Sequence, residues 1–399
     1  MSVIGGFCNV ATLGRNGQKI ISPSSGYYPV YYKTSLGLLE IASFDVYVDN
    51  DSIHMLVAGA TSAKDQRLSV RYLRSEDGGR HWLLPVDLGN SITPPIAARG
   101  NDIQIAASGD NVIAIWQTKG EIPGMGPIVS AYSPDGGKTW RQGSSPALNK
   151  EGDQSHMDLA ADGQGNFHAV WLEDPEEHGY QSLRYSKSVD AGMHWRSSME
   201  LDSSTCSCCW NTLLISSVNE LKVLYRDMKP RDMALIESSD AGKSWHHDSM
   251  VGDFFWKFDG CPHVGGGLAY GGASNASLLH SVVWTGSESK QGLYYLRSVD
   301  NGRSWGVPLR LGMNPVHGDI AAASNRVVAV WDEMESDGAS IFSAQSNDGG
   351  LSWFPVERIS QAGIMSTHPK VLSTRFGFLM IWTEKQSKQL SQLAYSLLE

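Results

Sequence analysis

The chain has 399 residues, a formal net charge of −10 and only 19% charged residues, with Lys and Arg scattered singly, so nucleic acid is excluded as a partner. Forty-two glycines, thirteen tryptophans and fourteen tyrosines among short Val/Ile/Leu/Tyr runs exclude a helical protein and predict many strands and tight turns. No run of eighteen apolar residues exists, which excludes a membrane-spanning helix.

In chain order, "MSVIGGFCNVATLG" lacks a basic segment followed by an apolar core, so no signal peptide is predicted. A chain with its leader already removed reads the same way; it would be periplasmic or secreted, and otherwise cytoplasmic. "GYYPVYYKT", from Gly26, reads as an isolated strand. Seven strand pairs follow: "FDVYVDNDSIHMLVAG", "DIQIAASGDNVIAIWQ", "HMDLAADGQGNFHAVWLED", "WNTLLISSVNELKVLYRD", "GGGLAYGGASNASLLHSVVWTG", "HGDIAAASNRVVAVWDE" and "HPKVLSTRFGFLMIWTE". Between them one motif recurs six times: "SEDGGRHW" from Ser75, "SPDGGKTW" from Ser133, "SVDAGMHW" from Ser188, "SSDAGKSW" from Ser238, "SVDNGRSW" from Ser298 and "SNDGGLSW" from Ser346.

The motif tryptophans lie 48 to 60 residues apart, about one four-stranded blade with its loops. In each copy Ser and Asp tie down a hairpin tip, the fifth residue, Gly, supplies a positive φ, and Trp packs on the blade edge. In the third repeat, "HMDLAAD", "NFHAVWLED", "SLRYSKS" and "HWRSSMEL" are the strands A to D, from the centre outward. The seventh unit ends at "QLAYSLLE", its strand C, and the N-terminal strand is expected to complete it and close the ring. The repeats resemble the Asp-box (BNR) repeats of the sialidase superfamily of β-propellers, and they cover nearly the whole chain. The resemblance implies one all-β domain over residues 1–399, a seven-bladed β-propeller with four-stranded blades; six blades, as in sialidases, is the alternative. It says little about function, because such repeats are structural and occur in hydrolases, lyases, lectins and assembly factors.

Strand direction alternates within a blade, so the start of A and the end of B share one face and the Asp boxes the other. Aligning the A strands sets Ser43, Gly100, His156, Cys209, Cys261 or His263, His317 and His368 at one level around the channel mouth. Two residues on stand Asp45, Asp102, Asp158, Asn211 and Asp319, expected to be structural anchors for the preceding loops. The B-strand ends add Gln117, Glu173, Asp174, Arg226, Asp227, Asp332, Glu333 and Glu384.

Four of the five cysteines fall in "CSCCW", Cys206 to Trp210, and in "CPH", Cys261 to His263. A disulfide within the first element is expected to be strained, and one to Cys261 easier. Nucleophilic Cys catalysis lacks a recognised signature. Thiolates beside imidazoles suit a soft or borderline ion, so Cys206, Cys208, Cys209, Cys261, His263, His156, His317 and His368 are the candidate metal ligands, for copper or else zinc. Among them Cys208 or Cys209 with Cys261 and one histidine is the favoured set, with Cys206 outside it. Residues 206 to 267 also resemble a subgroup of bacterial Asp-box proteins that carry C-x-C-C, then Y-R-D and R-D, then G-C-P.

Sialidases need three arginines that clamp a carboxylate, the first of them on the opening strand. Here "SSGYYPVYYK" has none, and Arg226 has only Arg231 and Arg99 for companions. The expected function is therefore a metal-dependent enzyme acting on a small or glycan ligand, with Arg226 and Asp227 as the leading pair, Tyr225, Glu173, Asp332 and Glu333 as further catalytic candidates, and Arg231, Asp174 and Glu384 as substrate-binding ones. The alternatives are a glycoside hydrolase built on the carboxylates, a uronate polysaccharide lyase using His156, His178, Tyr225 and Arg226, and a non-catalytic glycan-binding or scaffold propeller.

Overall fold

The structure, a computed structural model, describes residues 30–399 apart from 33–35, 63–66, 123, 177–180, 217–218, 272–276, 313 and 386–390. The sequence candidate His178 lies outside the described residues, as does the fifth cysteine, Cys8. Seven four-stranded antiparallel sheets form the ring of a β-propeller. The first blade holds Glu40–Asp49, Ser52–Ala60, Ser69–Ser75 and Val86–Asp87, paired in that order from the centre. The seventh holds Met365–Thr374, Gly377–Lys385 and Ser391–Leu398, and its outer strand is Val30–Tyr32, which pairs with Leu393 to Tyr395. The expected closure by the N-terminal strand is thus present, and no helix among the described residues is long and apolar enough to cross a membrane.

Inward-facing Val, Ile, Leu and Trp of strands A to C pack between neighbouring blades, with Trp116, Trp171, Trp331 and Trp382 of four B strands fully buried. The Asp boxes work as their residues dictate. In all six, the serine Oγ accepts the N–H of the fifth residue at 2.8 to 2.9 Å, and that residue is a glycine with φ between 80° and 96°. The box tryptophan lies just ahead of strand D and packs on a strand-C tyrosine of the preceding blade: Trp140 on Tyr72, Trp245 on Tyr185 and Trp353 on Tyr295, with ring centroids 5.3, 4.8 and 4.6 Å apart. In blades 1, 3 and 5 a strand-B histidine bonds that tyrosine's hydroxyl, as His54, His168 and His280 do at 2.8 Å each. Strand D of the third blade is Met199–Thr205, shifted past the expected start at His194, because the box turn extends to that point.

Candidate functional site

The start of strand A is where each blade can place something new, because the strand is irregular there. Its pairing shifts between Ser155 and Asp158, between Pro315 and Gly318 and between Thr367 and Lys370. At this level Gly100, His156, His263 and His368 all take left-handed φ, of 82°, 51°, 51° and 55°. At His156 and His368 the left-handed residue falls inside the bulge, which turns the side chain out of the pleat. At Gly100 only glycine fits, because a Cβ there would run into the His368 ring.

Two residues further on, Asp45, Asp158 and Asp319 each accept a backbone N–H from strand A of a neighbouring blade, those of Ile105 at 2.9 Å, Leu213 at 2.6 Å and Val371 at 2.9 Å. They lock blade to blade. Asp102 alone anchors the loop before its strand, through the N–H groups of Ala98 and Arg99, both at 2.8 Å. The expectation of preceding-loop anchors therefore holds for one carboxylate and is corrected for three: the bulge carries those three across the blade boundary. Lys370 stands at the level of these aspartates and puts an ammonium among them, 3.8 Å from Asp45. Burial pushes the Asp158 carboxyl up to about 7, while the three carboxylates hold Lys370 above its ordinary value against the pull of burial.

Around the mouth His317 bonds Asp332 through both its backbone N–H, at 2.9 Å, and its ring Nδ1, at 2.7 Å, and the His368 N–H reaches the same carboxylate at 3.0 Å. The two rings stack with centroids 4.0 Å apart. Burial, with His317 nearby, lowers the His368 imidazole to about 3, so it is neutral. His156 lies between the Ser155 hydroxyl, 2.8 Å from Nδ1, and Arg99, 3.4 Å from Nε2, and burial drives its pKa well below the usual range. Trp210 sits edge-on to both His156 and His317, at 5.4 and 6.0 Å.

The cysteines divide. Cys206 and Cys209 are joined by a disulfide, with Cα atoms 5.8 Å apart; the turn at Ser207 and Cys208 brings the two ends of the element to an ordinary bridging separation. The expected easier bridge to Cys261 is thereby corrected. Cys208 and Cys261 are free, and the Cys208 and Cys261 sulfurs and a ring nitrogen of His263 lie within 4.8 Å of one another. That is the favoured set of the sequence, with Cys208 as the loop cysteine. Burial and the neighbouring Cys261 push the Cys208 thiol up to about 12, while the His263 N–H, which donates to its sulfur, pulls the other way. Two thiols and one imidazole suit a soft ion, and three protein donors leave open the fourth position of a zinc tetrahedron.

Beside this cluster opens a cavity of about 1120 Å³ between the loop 228–231 and the loop 255–261. Lys229, Arg231 and Lys257 line it against one acid, Asp259, in a chain whose net charge is −10. Its aromatic wall is Trp256 stacked on Phe258, with centroids 5.2 Å apart, and Phe255, which is 66% exposed with φ +52°. Buried Asp232 imposes this conformation: its carboxylate accepts the N–H groups of Phe254, Phe255 and Trp256 at 3.0, 2.7 and 3.1 Å.

The other sequence candidates are placed elsewhere. Arg226 is 1% exposed and donates to the carbonyls of Arg231 and Trp284, at 2.7 and 2.8 Å, under the face of Trp256. Its buried guanidinium supports the cavity loops. The Tyr225 hydroxyl donates to Asp202 at 2.6 Å and meets His247, both on outer strands, and Asp227 joins that same group. Glu173 pairs with Arg184 at 3.0 Å. Glu333 and Glu384 accept the indole N–H of Trp331, at 3.0 Å, and of Trp382, at 2.9 Å. Asp174 is buried, opposite Asp153 in the strand pairing. Sequence reasoning missed Lys370, although the seventh A strand visibly carries Lys where the first, third and sixth carry Asp. It also missed the run from Phe254 to Phe258, whose three phenylalanines and one tryptophan precede "CPH" without strand alternation.

No curated protein matches the sequence. Among solved structures, an ulvan lyase bound to -[GlcA(1-4)Rha3S]- is 12% identical with a TM-score of 0.59, over 91% of this chain and 93% of that one. The polysaccharide lyase Uly1 is 10% identical with a TM-score of 0.57, over 92% and 91%. The sialidase of Trypanosoma rangeli is 10% identical with a TM-score of 0.50, over 95% of this chain and 57% of that one. At these identities the likeness is one of fold. The BNR repeat-like domain matches residues 44–246, half of the chain, across the first four blades and their Asp boxes, and the chain belongs to that family.

Proposed function

We propose that this propeller binds a soft metal ion, copper ahead of zinc, on Cys208, Cys261 and His263, and that the site serves an enzyme acting on a small or glycan substrate seated in the adjoining cavity. One observation carries the reading: two loops from neighbouring blades bring two free thiols and an imidazole within 4.8 Å of one another at the edge of a large cavity. The donor set suits both ions, since thiolate ligands take Cu(I) and zinc and an imidazole takes copper and zinc. Once bound, such an ion would supply Lewis-acid or one-electron chemistry. The chain's own residues would do the positioning: Trp256 and Phe258 offer a stacking face, and Lys229, Arg231 and Lys257 favour an acidic sugar. The fold-level likeness to lyases, one of them with a glucuronate-containing glycan bound, supports the glycan part of the reading.

A hydrolase built on Glu173, Glu333 and Glu384 has less support, because each of these carboxylates is held by an arginine or an indole N–H. The test is competition for Cu(I) between the protein and a chromophoric chelator. The protein should withdraw one ion per chain, and Cys208→Ser or Cys261→Ser should each weaken its hold at least a hundredfold. Equal retention by both variants would overturn the site.

A further inference from the structure

We infer that the Cys206–Cys209 disulfide is a redox latch that controls how many soft metal ions the thiol cluster holds. The inference rests on the reading of Cys208, Cys261 and His263 as ligands, and extends it. The Cys208 sulfur belongs to two groups at once: one with Cys261 and His263, the other with Cys206 and Cys209, each group within 4.8 Å. In the closed state the second group is consumed by the disulfide, leaving Cys208 as its one free thiol.

As a structural staple the bridge is poorly placed. It spans a sequence separation of 3, and the stabilisation from closing a loop grows with loop length, so this bridge gains little. The three loop cysteines also pack against one another as a cluster of their own, separate from the apolar cores of the blades. Arg231, in contrast, is placed for chemistry: its Nη1–H donates to Cys206 Sγ at 3.3 Å, and its side chain lines the open cavity. An N–H donor from a guanidinium at that sulfur favours its departure as a thiolate.

The opening step balances with a dithiol as reductant. Both sulfurs are buried, so the loop has to open before the reductant enters; one thiolate of the reductant then attacks Cys209 Sγ, the S–S bond breaks, and Cys206 leaves as the thiolate facing Arg231. The second reductant thiol then attacks its partner's sulfur in the mixed disulfide and frees Cys209. The reductant leaves as a disulfide, oxidised by two electrons, and its two protons end on Cys206 and Cys209. Three thiols then face one another at the loop, enough for a second Cu(I) beside the first.

The experiment uses the full chain with Cys8→Ser, which removes the one cysteine outside the described residues. Free thiols are counted, and Cu(I) is titrated against a chelator, before and after treatment with a dithiol that is then removed without air. The expected result is two thiols and one ion before, and four thiols and two ions after, while the Cys206→Ser/Cys209→Ser variant binds one ion under both conditions. Four thiols before treatment, a single ion after the bridge has opened, or a second ion in the double variant each overturns the latch and leaves the first site standing. No ion before treatment overturns the reading of Cys208, Cys261 and His263 itself. A Cys206→Ala/Cys209→Ala variant repeats the comparison if the serine variant does not fold.

Discussion

Arg231 Nη1 lies 3.3 Å from Cys206 Sγ while the same side chain lines the cavity of Lys229 and Lys257, so one guanidinium faces both the thiol cluster and the ligand space. Replacing it separates the two. Arg231→Met should weaken binding of a glucuronate-containing oligosaccharide about tenfold, the effect of roughly 1.4 kcal/mol from one lost charged hydrogen bond. Binding of the first Cu(I) should weaken less, because Arg231 belongs to none of the ligand groups and acts on Cys208 only through its charge, which favours the thiolate. Calorimetry with the oligosaccharide checks the first statement, and chelator competition the second.

Lys370 offsets three carboxylates at the channel mouth, Asp45, Asp158 and Asp319. Lys370→Met should therefore destabilise the fold by about 3 kcal/mol at pH 8, the low end for breaking a buried pair, because a quarter of the ammonium side chain is exposed. The carboxyls of all three aspartates are already raised above their usual range by burial. A raised folded pKa contributes stability that is present at low pH and lost as the pH rises through that value. The deficit of the variant should accordingly shrink at pH 5, where the Asp158 carboxyl has taken up its proton. Thermal unfolding at the two pH values measures it, and a deficit independent of pH would contradict the account.

His54 and His280 are fully buried and each is lowered to about 4 by burial, with Arg74 beside the first and Arg297 beside the second. In the unfolded chain they titrate near 6.5, so between pH 6.5 and 4 the unfolded state gains protons that the folded state refuses. Stability is full above that window and falls as the pH drops, by on the order of 3 kcal/mol per histidine. Urea unfolding at pH 7 and 4.5 should show the loss, and His54→Gln/His280→Gln should show less of it. An equal loss in both proteins would place the acid sensitivity elsewhere.

Gly350 and Gly163 both have positive φ, +81° and +71°, yet they should respond differently to alanine. A Cβ at Gly350 meets the Tyr295 hydroxyl, whereas at Gly163 nothing lies within 4 Å. Gly163→Ala should cost about 1 kcal/mol, from backbone strain alone. Gly350→Ala should cost about 3 kcal/mol, since overpacking adds to the strain. Denaturant midpoints decide it, and similar costs would mean that the Tyr295 ring moves aside freely.

The fold was legible in the sequence because the Asp box must repeat its Ser, Asp and Gly wherever the same turn recurs, and six copies fix the blade period. The closing strand was legible too, since a ring of six boxes and seven strand pairs lacks one outer strand. The residues of the site were legible only in part. Register along strand A brought His156, His317 and His368 to one level, but the bulges at Ile41 to Ser43, Ser155 to Asp158 and Pro315 to Gly318 decided where the aspartates reach, and a bulge has no residue pattern of its own. Arg226 looked like a substrate ligand because it ends a B strand, and its burial under Trp256 follows from a loop contact 30 residues on. The bridge between Cys206 and Cys209 depended on the turn at Ser207, which spacing alone leaves open.

The central claim is that Cys208, Cys261 and His263 share one copper ion, and X-ray absorption at the copper edge of the protein loaded with one equivalent of Cu(I) tests it most directly. The account predicts two sulfur donors and one imidazole nitrogen in the ion's shell, with the nitrogen lost in His263→Ala and one sulfur lost in Cys261→Ser. A shell of nitrogen and oxygen donors only, unchanged in both variants, would contradict it.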